Sequence, residues 1–261
     1  MRMGDLESRF VTTDDEVVNE LVYPLPTVWW SRGYEYSWAR QFADPRATVL
    51  DAACGLEHPL KFYLADTCRE CHACDRDPRL LSREQISNHI GLAFGEPAKN
   101  KFRHRDPKEI HYSVNSLSRL PYTDQVFDRI FCVSVLEHLR DRFNKWPVLR
   151  LARKLLRFLP EQIFDSLCEF RRTLAADGLI ILTFDFPRIR LEYLKDAINR
   201  AGLRFAADVN FSAPTNAIVS PDHVSKTQLS CFRAVLCRKE FEGPMRLNVV
   251  SNEPVEASSK Y

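Results

Sequence analysis

Val49-Leu50-Asp51-Ala52-Ala53-Cys54-Gly55-Leu56-Glu57 is the stretch from which the fold of this 261-residue chain is read. Asp44-Pro45-Arg46 ahead of it is a turn signal, and Val49 and Leu50 read as a short buried strand ending in an acid and small residues. Behind it, residues 59–65 can open a helix, with Pro59 near the first turn, where its missing N–H costs nothing. Strand, tight turn of small residues and helix together build a ligand cradle at the strand tips of an open α/β sheet. Ala52, Ala53 and Gly55 let a ligand approach the backbone, and Gly55 accepts positive φ. Alone, the stretch reads equally as an ordinary strand-to-helix turn; the chain beyond it decides.

Residues 70–75 read as a second strand ending in acids, followed by a helix over 78–89. Asp75 lies about 20 residues past the turn, where a carboxylate can hold ribose hydroxyls; a surface helix-capping Asp is the alternative, and the spacing from Asp51 favours the ribose role. After a connector at 91–105 come a third strand at 110–114, ending at Asn115-Ser116, and a turn at 120–124. Residues 126–133 form a fourth strand, almost continuously apolar as central parallel strands are, and 134–139 lead into a helix. A helix over 163–175, stopped by Asp177-Gly178, precedes a fifth strand at 179–184 with Asp185 at its tip. A helix at 191–201 and strands at 203–209 and 230–238 complete the pattern, with a long polar loop at 210–228 that carries His223.

Composition narrows the class. With 45% hydrophobic residues, the chain suits one large domain with embellishments. A net charge of +2 is close to balanced, so no whole-chain field points to a nucleic-acid partner, and none is expected. No apolar run reaches the roughly 18 to 20 residues of a membrane span, and the first 20 residues do not resemble a signal peptide, so a cytoplasmic protein is expected. The eight cysteines are expected to be reduced thiols. Cys68, Cys71 and Cys74 enclose His72 in a CxxCxxC pattern, but strand alternation sends Cys71 and Cys74 to opposite faces, and no second pair follows. No metal site is expected. Residues 1–45 read as an N-terminal helical and aromatic segment: a short helix at 14–22, then an aromatic-dense run at 29–38. That run either packs on the body of the domain or serves as a lid, with Arg32 or a Tyr hydroxyl such as that of Tyr36 meeting a carboxylate. Residues 46–240 form the main domain and 241–261 a loose tail. A helical insertion at 141–160 carries Trp146, Leu149, Ala152, Leu156 and Leu159 at helical spacing beside Arg150, Arg153, Lys154 and Arg157; it reads as a core-packed helix with a solvated basic face, or as a surface for a membrane, a partner, an acidic substrate or a homodimer contact.

The ordered series VLDAACG, an acid at the second strand's end, LPYTDQVFDRIFCVSVLEHL and FRRTLAADGLIILTFD resembles the class I S-adenosylmethionine-dependent methyltransferases, closest to their small-molecule branch. The resemblance spans residues 49–185 and implies a Rossmann-like α/β fold: a seven-stranded sheet, parallel except for the last strand, with helices on both faces. It implies S-adenosyl-L-methionine as cofactor. Asp51, Ala53, Cys54 and Gly55 would lie around its methionine part, Asp75 on the ribose, and Arg76, Asn115, Ser116 and Leu117 around the adenine. Val133 and Ser134 would border the sulfonium. Ala53 and Glu57 stand where the family usually has glycine, and the usual adenine-reading Asp is absent. Asp185 and His138 are the titratable residues nearest the strand tips and the candidates for a general base, with His223 behind them. The expected activity is methyl transfer to a small or medium-sized metabolite. A macromolecular acceptor, RNA or protein, and a catalytically silent cofactor-binding scaffold are the alternatives.

Overall fold

The structure is a computed structural model that describes residues 6–104, 109–139, 161–221 and 227–241. The insertion at 141–160, His223 and the tail from 242 lie outside the described residues. In chain order the strands are β1 (Arg9–Phe10), β2 (Glu20–Leu21), β3 (Tyr23–Pro24), β4 (Thr48–Ala52), β5 (Glu70–Asp75) and β6 (Ile110–Val114). They continue with β7 (Phe127–Val133), β8 (Leu174–Phe186), β9 (Leu203–Phe205), β10 (Val219–Pro221) and β11 (Gln228–Arg238). The helices are α1 (Arg32–Ala39), α2 (Leu60–Thr67), α3 (Arg83–Phe94), α4 (Glu96–His104), α5 (Glu161–Thr173) and α6 (Leu191–Arg200).

The sheet runs β6-β5-β4-β7-β8-β11, with β1, β9 and β10 each paired antiparallel to β11. The five central strands are mutually parallel, and β11 pairs antiparallel with β8. Only β11 therefore runs against the rest, as the resemblance implied. The sheet has nine strands rather than seven, because the short β1 and β10 extend it along β11.

Alternation along the central strands explains why both faces must be covered. Leu50, Ile130, Cys132, Ile180, Leu182 and Phe184 are buried on the face covered by α5 and α6. Val49, Phe131, Leu179 and Ile181 are buried on the other face, beneath α1 and α2. Cys74 lies in the first of these clusters and Cys71 in the second, so the two thiols are separated by the sheet. All eight cysteines are free thiols.

Several elements differ from expectation: the strand expected at 203–209 shortens to β9, and the loop at 210–228 carries β10. Residues 14–22 form turns and the β2–β3 hairpin around Val22 (φ 66°) rather than a helix. There β-branched Val17 and Val18 and cross-strand pairing outweigh the favourable placement of acids. The connector at 91–105 is helical: α3 continues to Phe94 and α4 follows. Chain order also hides an early start to β8 at Leu174, made possible by a bulge opposite Phe127–Arg129. Gly178 sits in that bulge, where a Cβ would meet the Leu174 side chain at 2.7 Å and the Asp128 carbonyl at 3.1 Å.

Candidate active site

Two adjoining hollows open at the carboxyl ends of β4, β5, β7 and β8. The first, about 290 Å³, is floored by Asp51, Ala53, Cys54 and Gly55 from the turn after β4, with Asp75 and the Val133–Ser134 tip at its sides. Arg32 and Tyr36 of α1 close over it. The second, about 170 Å³, is bounded by Trp29, Trp30, Glu137 and Asp185. Arg32, His58, Ser134 and His138 line both, so the two are neighbours across one wall. A separate apolar hollow of about 250 Å³, lined by residues such as Phe62, Leu80 and Phe102, lies among α2, α3, α4 and the start of β6, away from these strand tips.

The floor is built by close backbone approach. Ala53 (φ 58°) and Gly55 (φ 58°) both take the left-handed conformation. Ala53 thus holds the shape a glycine would, at a strain of about 1 to 2 kcal/mol. At Gly55 a Cβ would lie 2.6 Å from the His58 ring, which leaves no space for a side chain. Asp75 fixes the turn: its Oδ2 accepts the Gly55 N–H at 3.0 Å and its Oδ1 the Asp77 N–H at 3.0 Å. Lys61, wholly buried, donates from Nζ to the carbonyls of His58 (2.7 Å), Gly55 (3.0 Å) and Cys54 (3.3 Å). Asp51 is buried, and its Oδ2 has no hydrogen-bond partner among the described residues. Burial pushes its carboxyl up to about 7; Lys61 opposes that rise and the charge of Asp75 adds to it.

The roof is an electrostatic clamp. Glu35 on α1 is fully buried, accepting from Arg32 Nη1 at 2.5 Å, Ser134 Oγ at 2.5 Å and Ser31 Oγ at 3.1 Å. Burial alone would raise the Glu35 carboxyl, but Arg32 and the hydroxyls of Ser134 and Thr183 bring it below its ordinary value, so it stays ionised. Ser134 is itself in the left-handed region (φ 47°), and its N–H donates to Thr183. Tyr36 shares a hydrogen bond of 3.0 Å with His58 Nδ1, and Trp29 packs on the His58 ring at 4.6 Å. Burial, reinforced by Arg32 and Lys61, drives the His58 pKa well down, so this imidazole is neutral.

At the second hollow, Glu137 Oε1 accepts the Asp185 N–H at 3.2 Å, while Oε2 is buried and has no hydrogen-bond partner among the described residues. Burial, with Asp185 and Glu35 nearby, pushes the Glu137 carboxyl up to about 8. Asp185 lies 3.9 Å from Arg188, and the more exposed His138 is held below its ordinary pKa by desolvation and by Arg188 and Arg32.

Of the residues singled out in the sequence, Arg32, Tyr36, Asp51, Ala53, Cys54, Gly55, Asp75, Val133 and Ser134 line the first hollow. His138 lines both, and Asp185 the second. Arg76, Asn115, Ser116 and Leu117 are not among the lining residues. Arg76 is exposed, Leu117 is buried in the core, Asn115 donates its N–H to the Asp75 carbonyl, and Ser116 bonds Ser118. Glu35, His58, Lys61 and Glu137 were not singled out as site residues, although Glu137 stands inside the quoted EHL motif.

Residues 50–182, half of the chain, match the family described as Methyltransferase domain. The chain belongs to the class I S-adenosylmethionine-dependent methyltransferases. No curated protein matches this methyltransferase. Solved structures similar to it include a TehB-like SAM-dependent methyltransferase from Corynebacterium glutamicum, 19% identical, covering 78% of this chain and 87% of that one with a TM-score of 0.45. YcgJ from Bacillus subtilis is 13% identical, covering 77% and 96%, with a TM-score of 0.49. The N-methyltransferase NodS from Bradyrhizobium japonicum, solved with S-adenosyl-L-homocysteine, is 13% identical, covering 81% and 88%, with a TM-score of 0.49.

The residues of the first hollow fit the methyltransferase's cofactor. The orphaned Asp51 oxygen lacks a cationic donor such as an amino-acid ammonium supplies, and the left-handed floor at Ala53 and Gly55 leaves backbone open to a ligand. Asp75 keeps lone pairs beyond its two backbone bonds for ribose hydroxyls. Among the described residues, no helix is long and apolar enough to cross a membrane.

Proposed function

We propose that this methyltransferase transfers a methyl group to a small or medium-sized metabolite seated in the second hollow. The observation that carries the reading is the shared wall: Arg32, His58, Ser134 and His138 line both hollows, so a group bound in one faces a group bound in the other. S-adenosyl-L-methionine supplies an already activated methyl group. The protein then has to align the acceptor, and good alignment lowers such barriers by about 7 to 11 kcal/mol.

Asp51, Gly55 and Asp75 hold the cofactor from below, while Arg32 and Tyr36 hold it from above. The Glu35 clamp keeps that roof shut against the β7 tip, which excludes water and strengthens the polar contacts inside. Trp29, Trp30, His138 and Asp185 border the acceptor. The test is calorimetry with S-adenosyl-L-homocysteine, followed by a screen of metabolites with methyl-labelled cofactor. Binding of the cofactor product and label transfer to a small acceptor support the reading. Cofactor binding with label appearing only in added RNA or protein would overturn the small-molecule part of it.

A further inference from the structure

We infer that the methyl acceptor is a protonated amine, held by the carboxylates of Glu137 and Asp185 beneath Trp29 and Trp30, and that Glu137 takes the proton that frees the nitrogen lone pair. The inference rests on the methyl-transfer reading above and adds the acceptor's chemical class and the residue that receives its proton.

Charge balance around the second hollow is the ground for it. From α1 come Arg32 and Glu35, whose charges are spent on each other at 2.5 Å. From the turn after β4 comes His58, which is neutral. From the β7 tip come Glu137 and His138, and from the β8 tip Asp185, with Arg188 at 3.9 Å from its Oδ2. Among the described residues, Glu137 has no counter-cation in contact with it: one oxygen accepts a backbone N–H and the other is buried without a hydrogen-bond partner. Leaving a buried carboxylate oxygen unmatched is costly, and an ammonium donor is the group that would match it. The walls agree, because Trp29 and Trp30 present indole surface, the aromatic surface a cation prefers. An acidic acceptor would meet two carboxylates and an arginine already engaged.

The proton and electron count closes. An alkylammonium gives one N–H proton to Glu137 Oε2, and the nitrogen lone pair forms the new N–C bond. The C–S bond of the sulfonium breaks, its electron pair staying on sulfur to give the thioether. A Glu137 carboxyl raised to about 8 is matched to this transfer far better than an ordinary carboxylate.

The test uses the full-length protein saturated with S-adenosyl-L-homocysteine. Propylammonium and benzylammonium are titrated calorimetrically against propanol, benzyl alcohol, propionate and benzoate. The expected result is an ammonium preference of at least about tenfold over the alcohols, removed by Glu137→Gln. Affinity for S-adenosyl-L-homocysteine should stay within about twofold of wild type, which shows that the variant is folded. A second readout is the pH profile of kcat/KM for an amine acceptor found in the metabolite screen: its rise through about pH 8 should disappear in Glu137→Gln. Equal binding of alcohols or carboxylates, or an ammonium preference that survives Glu137→Gln, overturns the inference. Failure to bind S-adenosyl-L-homocysteine would instead refute the methyl-transfer reading, and label transfer to hydroxyl or carboxylate acceptors alone would refute only the amine.

Discussion

Asp51 and Glu137 are carboxyls with a buried oxygen that lacks a hydrogen-bond partner among the described residues, and both are shifted upward by burial. For Asp51, if its free oxygen meets the cofactor's ammonium as proposed, the shift would tie cofactor binding to pH. A bound ammonium favours the ionised carboxylate, so affinity for S-adenosyl-L-homocysteine should fall as pH drops below about 7, with Lys61 and Asp75 as the other charges facing the group. Calorimetry across pH 5.5 to about 8 should show the fall in wild type and a flat, weaker profile in Asp51→Asn. An unchanged slope in the variant would remove Asp51 from the site. For Glu137 the linkage acts on stability of the free protein. Its folded pKa lies above the unfolded value, so its contribution is present at low pH and is lost as pH rises from about 4.5 to about 8. Glu137→Gln should therefore stabilise the unliganded protein by one to a few kcal/mol, roughly, near pH 8.5 and by much less near pH 5, read by urea unfolding at both. Equal effects at the two values would deny the shift. Asp51, Gly55 and Asp75 were legible in sequence because turn chemistry and spacing are local. Glu35 was not, since its meaning depends on Ser134, 99 residues away.

At the scale of elements, α1 carries an internal ion pair between Arg32 and Glu35, and Glu35 ties the helix to the β7 tip through the Ser134 hydroxyl. Nothing local in residues 32–39 foretells that tie; the aromatic density suggested either packing or a lid. Trp38 and Ala39 are buried against the sheet, while Arg32 and Tyr36 line the first hollow. Breaking a buried pair by removing one charge typically costs about 3 to 5 kcal/mol. Glu35→Gln should lower stability by an amount of that order and weaken S-adenosyl-L-homocysteine binding, because Arg32 loses the partner that aims it. Ser134→Ala, which keeps the ion pair and removes one hydrogen bond, should cost less, about 1.5 to 3 kcal/mol. If Glu35→Gln bound the cofactor product as wild type does, the clamp would be structural only. The 14–22 segment shows the converse lesson. Its acids favour a helix start, yet pairing of Glu20–Leu21 with Tyr23–Pro24 decides its form, and such pairing carries little sequence signal at this length.

For the whole molecule, the question is whether the N-terminal segment is an appended lid or part of the folding unit. A lid would be removable: truncation would open the active site and leave the domain standing. The sheet argues otherwise. β1 pairs with β11 through Arg9 and Phe10, and the Ser8 hydroxyl accepts the Val235 N–H at 3.1 Å. Phe10 is buried edge-on between Phe186 and Phe232, at 5.3 and 5.1 Å between ring centroids, and so joins the same cluster as α5 and α6. Arg9 and Arg233 converge on Asp15, which ties the following turn to β11 as well. Deleting residues 1–38 would uncover this edge of the sheet and the α1 side of the core together. It should yield a protein without a cooperative unfolding transition rather than an open enzyme. Phe10→Ala isolates the effect without touching the hollows and should cost about 3 to 5 kcal/mol in urea unfolding. Its affinity for S-adenosyl-L-homocysteine should stay near wild type under conditions where it is folded. A truncated chain that keeps a full cooperative transition, with only cofactor binding weakened, would show that the segment is a lid after all.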